Sequence, residues 1–361
     1  MASHRIKLSL YFSGQSIGYH RSLQQMIGSS QIDLEQFEAS IASYRKALEL
    51  VEKSSEDQNA KDINKGDIMQ YMAMGYKSSN NLKEAIVWYT KSLDIKEKSE
   101  DSPLKNHFIA ILLIGIGTCY QELGEFQIAL DYYYEKAREK LQKDDVQAEL
   151  SGSTHVPIGL NLTTLAIDTK RLKSLLSDNE GLCHYELGRY EKALEVHKNA
   201  LAILKQINAT AEDMALTLNN IANVLHVQGK YQEAMEMYKD SLEWERERSG
   251  QDANNLVISL FLHNIGVQCS HLKDYQEAGK WFREALSMKQ SIYRGKNQPG
   301  TSFTLNSIGL NYYDQGDLEK AKDYIKRAYD MILTCEGNDE RKSNIKRNLD
   351  EVEKKLELSK N

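Results

Sequence analysis

The feature that most constrains this chain is an internal repeat that occurs seven times. A small residue starts each copy, and the same pattern of side chains follows it. The seven anchors are Gly28, Ala73, Gly117, Gly181, Ala222, Gly266 and Gly309, at intervals of 45, 44, 64, 41, 44 and 43 residues. Repeats of this length indicate stacked units that bury their apolar faces only against their neighbours. The 361 residues are therefore predicted to form an elongated array.

Each position of the repeat has a mechanical role. The anchors and the later small residues, such as Ala234 and Ala321 twelve positions after an anchor, lie where two helices cross, because only short side chains let helix backbones approach closely. Glycines such as Gly124 and Gly229, seven positions after an anchor, supply the left-handed turn that ends the first helix. The second helix then opens, nine positions after each anchor, with Phe37, Leu82, Phe126, Tyr190, Tyr231, Tyr275 and Leu318. A large, mostly aromatic residue follows sixteen positions after each anchor, at Tyr44, Tyr89, Tyr133, His197, Tyr238, Phe282 and Ile325.

This pattern resembles the tetratricopeptide repeat (TPR) family. The stretches "TLNNIANVLHVQGKYQEAMEMYKDSLEWERERSG" and "TLNSIGLNYYDQGDLEKAKDYIKRA" are similar in detail to the repeats of kinesin light chain, whose units are also longer than the standard TPR. The resemblance covers residues 21–335. It implies an all-α fold, a right-handed TPR superhelix (α-solenoid) of about seven helix-turn-helix repeats.

The breaks in the rhythm predict the domain organisation. Residues 1–20 form an N-terminal extension, 21–140 hold repeats 1–3, and 161–337 hold repeats 4–7 with an extended first helix. Residues 141–160 contain Gly152, Pro157 and Gly159 and are predicted to be a loop between repeats, either a tolerated insertion or a mobile lid. Residues 338–361 place Ile345, Leu349, Val352 and Leu356 on one side of a helix. That helix is predicted to cap the array, with a partner-binding coiled coil as the alternative.

Polar residues just before the anchors indicate a binding surface. Asparagine is a poor residue for a helix interior, yet Asn219 and Asn220 stand side by side in a predicted first helix. The resemblance implies that first helices line the concave face, where amides could hold the main chain of an extended peptide. The alternative is that these side chains solvate the face or bridge neighbouring repeats. The predicted peptide-binding groove consists of Asp178, Asn179, Asn219, Asn220, Asn223, His226, His263, Asn264, Asn306 and Ser307.

Charge and motif content exclude several other functions. With 46 Lys+Arg against 52 Asp+Glu, spread along the chain, a nucleic-acid partner is not expected. No apolar run is long enough to span a membrane, and four scattered cysteines favour reduced, mostly buried thiols in the cytoplasm. No HExxH, GxSxG or GK[ST] motif stands in a suitable context, so neither catalysis, nor a metal, nor a cofactor is expected.

The expected function is that of an interaction scaffold or adaptor that binds a short peptide in the concave groove. Lys77 is the one cation found in the columns expected to face that groove, so a clamp for a C-terminal carboxylate is not expected, and a ligand of apolar or basic character is favoured. One alternative is a peptide sensor of the bacterial pheromone-receptor type, or the related aspartyl-phosphate phosphatase. Both need an N-terminal module for which the residues before Arg21 leave little room. Another is the binding region of a larger protein or secreted effector.

Overall fold

A computed structural model describes residues 37–54, 56–99, 104–150, 162–250, 255–335 and 339–360. The N-terminal extension, the first helix of repeat 1 and the second half of the predicted loop lie outside these residues. Within the described part, fourteen helices follow one another: α1 Phe37–Glu52, α2 Gln58–Ser78, α3 Leu82–Lys98, α4 Lys105–Glu122, α5 over residues 126–150, α6 Leu162–Glu186, α7 Tyr190–Gln206, α8 Ala211–Val227, α9 Tyr231–Ser249, α10 Leu256–His271, α11 Tyr275–Tyr293, α12 Pro299–Asp314, α13 Leu318–Leu333 and α14 Asp339–Lys360.

The predicted helical hairpins are present. The second helix of every repeat begins at the residue that the repeat pattern names, from Phe37 to Leu318. Gly124, Gly188, Gly229 and Gly316 have positive φ between 70° and 82° in the turns, where a side chain would be strained. The corresponding turn positions of repeats 2 and 6 use Asn80 and Lys273 in the same left-handed region.

The helices divide into two compact units, residues 1–189 and 190–361. In the first unit the buried apolar side chains form three clusters along α1–α6. In the second unit one cluster runs from Ala215 on α8 to Leu356 on α14. The anchors make this packing possible: a Cβ at Gly266 would lie 2.7 Å from Phe282, and one at Gly309 would lie 2.5 Å from Ile325.

The structure differs from the sequence-based prediction in two details, the start of a loop and the identity of a buried aromatic residue. The predicted loop does not start at residue 141, because α5 continues to Leu150: the segment "LQKDDVQAEL" lacks both Gly and Pro and consists mostly of good helix formers. In repeat 3 the buried aromatic is Tyr134 rather than Tyr133, because the residues Ala129–Tyr134 form a π-helical turn that adds one residue to the helix. The first helix of repeat 4, α6, has 25 residues.

Candidate binding surface

The candidate residues lie on the first helices of repeats 4–7, namely α6 in the first unit and α8, α10 and α12 in the second. They occupy two columns, three and two positions before the anchor. A third group, Asn223 and His226, follows the anchor of repeat 5. The structure gives these columns different roles.

The column three positions before the anchor mainly joins one repeat to the next. The His263 Nδ1 atom lies 3.3 Å from Thr304 Oγ1, and Asn348 Nδ2 donates to Asn306 Oδ1 at 3.1 Å. Each of these bonds connects side chains 41 or 42 residues apart, which is one repeat. His263 and Asn306 therefore connect neighbouring repeats, as the alternative interpretation proposed, and their contact with a ligand stays a prediction.

Asn219 stands in the same column but has no such partner. Its Oδ1 atom is buried and accepts no hydrogen bond. In repeat 6 the position that Thr304 takes in repeat 7, five residues before the anchor, is held by Phe261, which carries no polar side-chain atom. A buried acceptor without a donor costs about 1–3 kcal/mol.

The column two positions before the anchor keeps its polar groups available in the second unit. Asn220, Asn264 and Ser307 are half-buried, and within the described residues their side chains make no hydrogen bond. In the first unit, the equivalent Asn179 is buried with its Nδ2 atom unbonded, next to the half-buried Asp178. Asn220 and Asn264 are thus the amides best placed to receive a ligand.

Asn223 and His226 serve the packing of their own unit. The Tyr238 hydroxyl donates to Asn223 Oδ1 at 2.5 Å, and His226 Nδ1 lies 2.9 Å from Gln268 Oε1. The His226 ring also meets His271 edge-on, with 5.1 Å between ring centroids. One polar atom of each residue is thus used within the unit, and a ligand contact by either residue stays a prediction.

Sequence reasoning missed an exposed apolar column beside the free amides. Leu216 and Leu260 are 53% and 45% exposed, and each stands one helical turn before Asn220 or Asn264. Phe303 stands at the same position before Ser307 and lies under the guanidinium of Arg341, 4.9 Å from it. A leucine that recurs six residues before the anchor is the signal that could have revealed this column.

A buried hydrogen-bond network that contains a lysine contacts His263 and affects its pKa. The Lys289 ammonium donates to Thr304 Oγ1 at 2.9 Å and to the Gly300 carbonyl at 3.2 Å, and burial lowers the Lys289 pKa to about 8. Burial, followed by the nearby Lys289 charge, lowers the His263 pKa to about 3. The imidazole is therefore neutral near pH 7. On the first unit, Lys77 already binds Thr118 and Glu122, at 3.0 and 3.1 Å.

The remaining chemistry of the described residues is modest. No group of three or more His, Cys, Asp or Glu side chains in this part of the chain is arranged to hold a metal ion. Cys119, Cys183 and Cys269 are buried, and burial raises the pKa of the Cys119 thiol to about 11. None of the described helices is long and apolar enough to cross a membrane.

Comparison with known proteins agrees with this architecture. Models described as tetratricopeptide repeat match residues 22–53, 173–244 and 257–333, together half of the chain. The chain belongs to the tetratricopeptide repeat family. The predicted all-α solenoid of TPR hairpins is thereby confirmed.

The individual relatives are distant. The clustered mitochondria protein homolog of Aspergillus clavatus is 24% identical over 165 residues, which cover 44% of this chain but 12% of that protein. The structure of BtubC (BKLC) from P. vanneervenii is 19% identical, with a TM-score of 0.54 over 71% of this chain and 94% of that one. The Rap conjugation gene regulator of plasmid pLS20, solved with the Phr* peptide, is 16% identical, with a TM-score of 0.54 over 91% and 74%. At these identities the structural likeness extends to the fold.

Proposed function

We propose that this chain is a scaffold that captures an extended segment of a partner protein on the first helices of its second unit, without catalysis. One observation carries the proposal: two amides with no hydrogen-bonding partner among the described residues, Asn220 and Asn264, each stand one turn after an exposed leucine, and both pairs occupy the same place in their repeats. The recurrence of an exposed leucine one turn before an unbonded asparagine, in two successive repeats, is what supports a binding surface.

The chemistry favours a peptide held mainly through its backbone. Each asparagine offers two donors and one acceptor oxygen, which match the carbonyl and N–H groups of an extended chain. Leu216 and Leu260 would cover apolar side chains of that segment, and burying each leucine would contribute up to about 1.5–3 kcal/mol. Because the chain carries a net charge of −6, apolar segments with some positive charge are the preferred ligands.

A regulatory peptide sensor is the second candidate function. It is favoured by the Rap regulator, which shares the fold and was solved with a peptide. The clustered mitochondria homologs suggest instead that this repeat array serves within a larger protein, because the aligned region is 12% of the length of the Aspergillus clavatus relative. In each case the array would contribute the binding step.

A peptide array probed with the wild-type chain and with Asn220→Ala/Asn264→Ala tests the proposal. We expect the double variant to lose at least about tenfold in affinity for the captured peptides, because each lost hydrogen bond is worth about 1 kcal/mol and its partner is left unpaired. Asn199→Ala is the matched control, since Asn199 is exposed on the second helix α7.

Two further results would decide against the proposed surface. Binding that is equally weakened by Asn199→Ala would indicate a non-specific effect of losing an amide. Binding that survives the double variant with unchanged helicity, measured by circular dichroism, would show that Asn220 and Asn264 only interact with solvent.

A further inference from the structure

A second opening lies away from the free amides, at the junction of repeats 6 and 7. It is a cavity of about 430 Å³ between the start of α11, the end of α12 and the start of α13. Gly279 and Arg283 of α11 line one side, and Tyr312 and Lys320 line another. These residues all belong to the second unit, and none is among the groove residues predicted from sequence.

The cavity is lined by a glycine at a position where the other repeats carry a long side chain. Four residues after the start of the second helix, the seven repeats carry Ile41, Ile86, Leu130, Leu194, Met235, Gly279 and Lys322. Gly279 is the exception, although it lies inside a helix, where glycine is less stable than alanine. A Cβ at this position would lie 3.1 Å from Nη1 of Arg283, so the guanidinium occupies the space above the glycine.

Of the three charged side chains that line this cavity, Asp317 and Lys320 pair with each other, and Arg283 has no hydrogen-bonding or ionic partner within the described residues. Lys320 binds Asp317 at 2.6 Å, and Gln276 donates to Gln315 at 3.3 Å. Asn311 donates to the Tyr275 carbonyl at 3.0 Å. The Arg283 side chain is exposed and makes no hydrogen bond or ion pair within the described residues.

In the first unit, the arginine at the equivalent position has a hydrogen-bond partner. Arg45 stands at the position of Arg283 in its repeat, and its Nη2 atom donates to the Tyr76 hydroxyl at 2.8 Å. Tyr76 corresponds to Tyr312, and Ile41 fills the place of Gly279. With glycine in repeat 6, the guanidinium of Arg283 lies where the aliphatic side chain would be and has no partner within the described residues.

We propose that this cavity, called the Arg283 pocket, binds a carboxylate from an acidic side chain of a partner protein. A guanidinium holds a carboxylate through two parallel N–H···O bonds, which gives both charge and orientation. The nearby charges are Arg283, Lys320 and Asp317, which leave one net positive charge in the lining. The Tyr312 ring, which Lys320 approaches to 5.3 Å, provides an apolar wall for the methylene groups of a glutamate. The pocket extends the proposed function with a separate contact and does not depend on Asn220 or Asn264.

Fluorescence polarisation with the full chain tests this assignment. The probes are a fluorescein-labelled Asp-Glu repeat peptide and the same peptide with Asn and Gln. We expect saturable binding of the acidic probe alone, weakening with added salt because the contact is partly exposed. Arg283→Gln should lower the affinity at least about fivefold, as the loss of one charge-assisted pair implies. Arg45→Gln is the matched control and should leave the affinity unchanged.

A second variant tests the pocket by its shape. Gly279→Met introduces the side chain that repeat 5 carries at this position, and it should abolish binding of the acidic probe while the melting temperature stays equal or rises. Equal binding of the neutral probe, or full binding by both Arg283→Gln and Gly279→Met, would overturn the proposal. Failure of the wild-type chain to bind the acidic probe would also overturn it. Inorganic phosphate that binds when the acidic probe does not would restrict the pocket to small anions and reject a partner carboxylate.

Discussion

At the residue scale, His263 shows how this repeat array uses polar groups inside its stack. Its imidazole lies against Phe282, with 5.5 Å between ring centroids, and meets Thr304, which in turn accepts from Lys289. The groups that face it are thus an aromatic ring, a hydroxyl and a buried ammonium; burial among them, followed by the charge of that ammonium, disfavours protonation of the imidazole. His263 is thus a neutral link between repeats 6 and 7, whereas its predicted contact with a ligand stays a prediction.

The lowered His263 pKa predicts that acid destabilises the fold through this residue. Between pH 6.5 and about 3 the unfolded chain binds a proton at His263 that the folded chain does not, so the free energy of unfolding falls as the pH is lowered. The slope is at most about 1.4 kcal/mol per pH unit. Urea unfolding at pH 7 and pH 5 should therefore show up to about 2 kcal/mol more loss for the wild-type chain than for His263→Gln. Equal losses in the two proteins would mean that His263 is protonated freely in the folded chain.

At the element scale, the π-helical turn of α5 explains why the repeat spacing selects the wrong buried residues in repeat 3. Counting from Gly117 selects Tyr133 and Lys136 as the packed residues, whereas Tyr134 and Ala137 are the ones that are fully buried. A Cβ at Gly117 would lie 2.3 Å from the Tyr134 ring, which shows that Tyr134 fills the helix crossing. The extra residue of the π turn shifts both positions by one. A fixed spacing cannot predict such an insertion. The sign of it in the sequence is Lys136, which stands at a position where the other repeats carry a small residue.

The last helix, α14, caps the second unit. Ile345, Leu349, Val352 and Leu356 are buried in the same cluster as Ile325 and Ile332 of α13. Because these four side chains are buried in that cluster, we keep the cap as our interpretation of this helix rather than a partner-binding coiled coil.

The cap can be tested with two leucines of the same helix. Leu349→Ala should lower the free energy of unfolding by about 2–5 kcal/mol, because it leaves a cavity against α13. Leu358→Ala removes the same atoms from a side chain that is 67% exposed and should change stability by less than about 0.5 kcal/mol. Chemical denaturation monitored by circular dichroism compares them. Similar small effects of both changes would mean that α14 does not contribute to the folded core.

At the scale of the whole molecule, the sequence predicted the repeat architecture far better than the surface. The helix starts, the turn glycines and the small residues at crossings follow from local spacing, since each is fixed by geometry within one hairpin. Whether a polar side chain is free depends instead on the residue one repeat away. Asn306 accepts a hydrogen bond from Asn348, but the buried Oδ1 atom of Asn219 accepts none, and nothing within a single repeat distinguishes the two. The exposed Leu216 and Leu260 were overlooked because leucine in a helix is first assigned to the core.

The distribution of buried clusters predicts different cooperativity in the two units. The second unit has one cluster that reaches from α8 to α14, whereas the first has three, joined through half-buried side chains such as Tyr76 and Trp88. In a repeat array, stability passes between neighbours through such contacts, so a continuous core should open as one unit and a divided core in parts.

Hydrogen exchange of two core variants measures this difference. Ile325→Ala, which leaves a cavity in the continuous cluster, should raise exchange throughout α8–α13. Ile68→Ala, in the cluster of α1 and α2, should raise exchange in those two helices and leave α5 and α6 protected. Each variant serves as the control for the other, because both shorten a fully buried isoleucine. If Ile68→Ala raised exchange equally along α1–α6, the three clusters would form one cooperative core, and the division seen in their packing would have no energetic meaning.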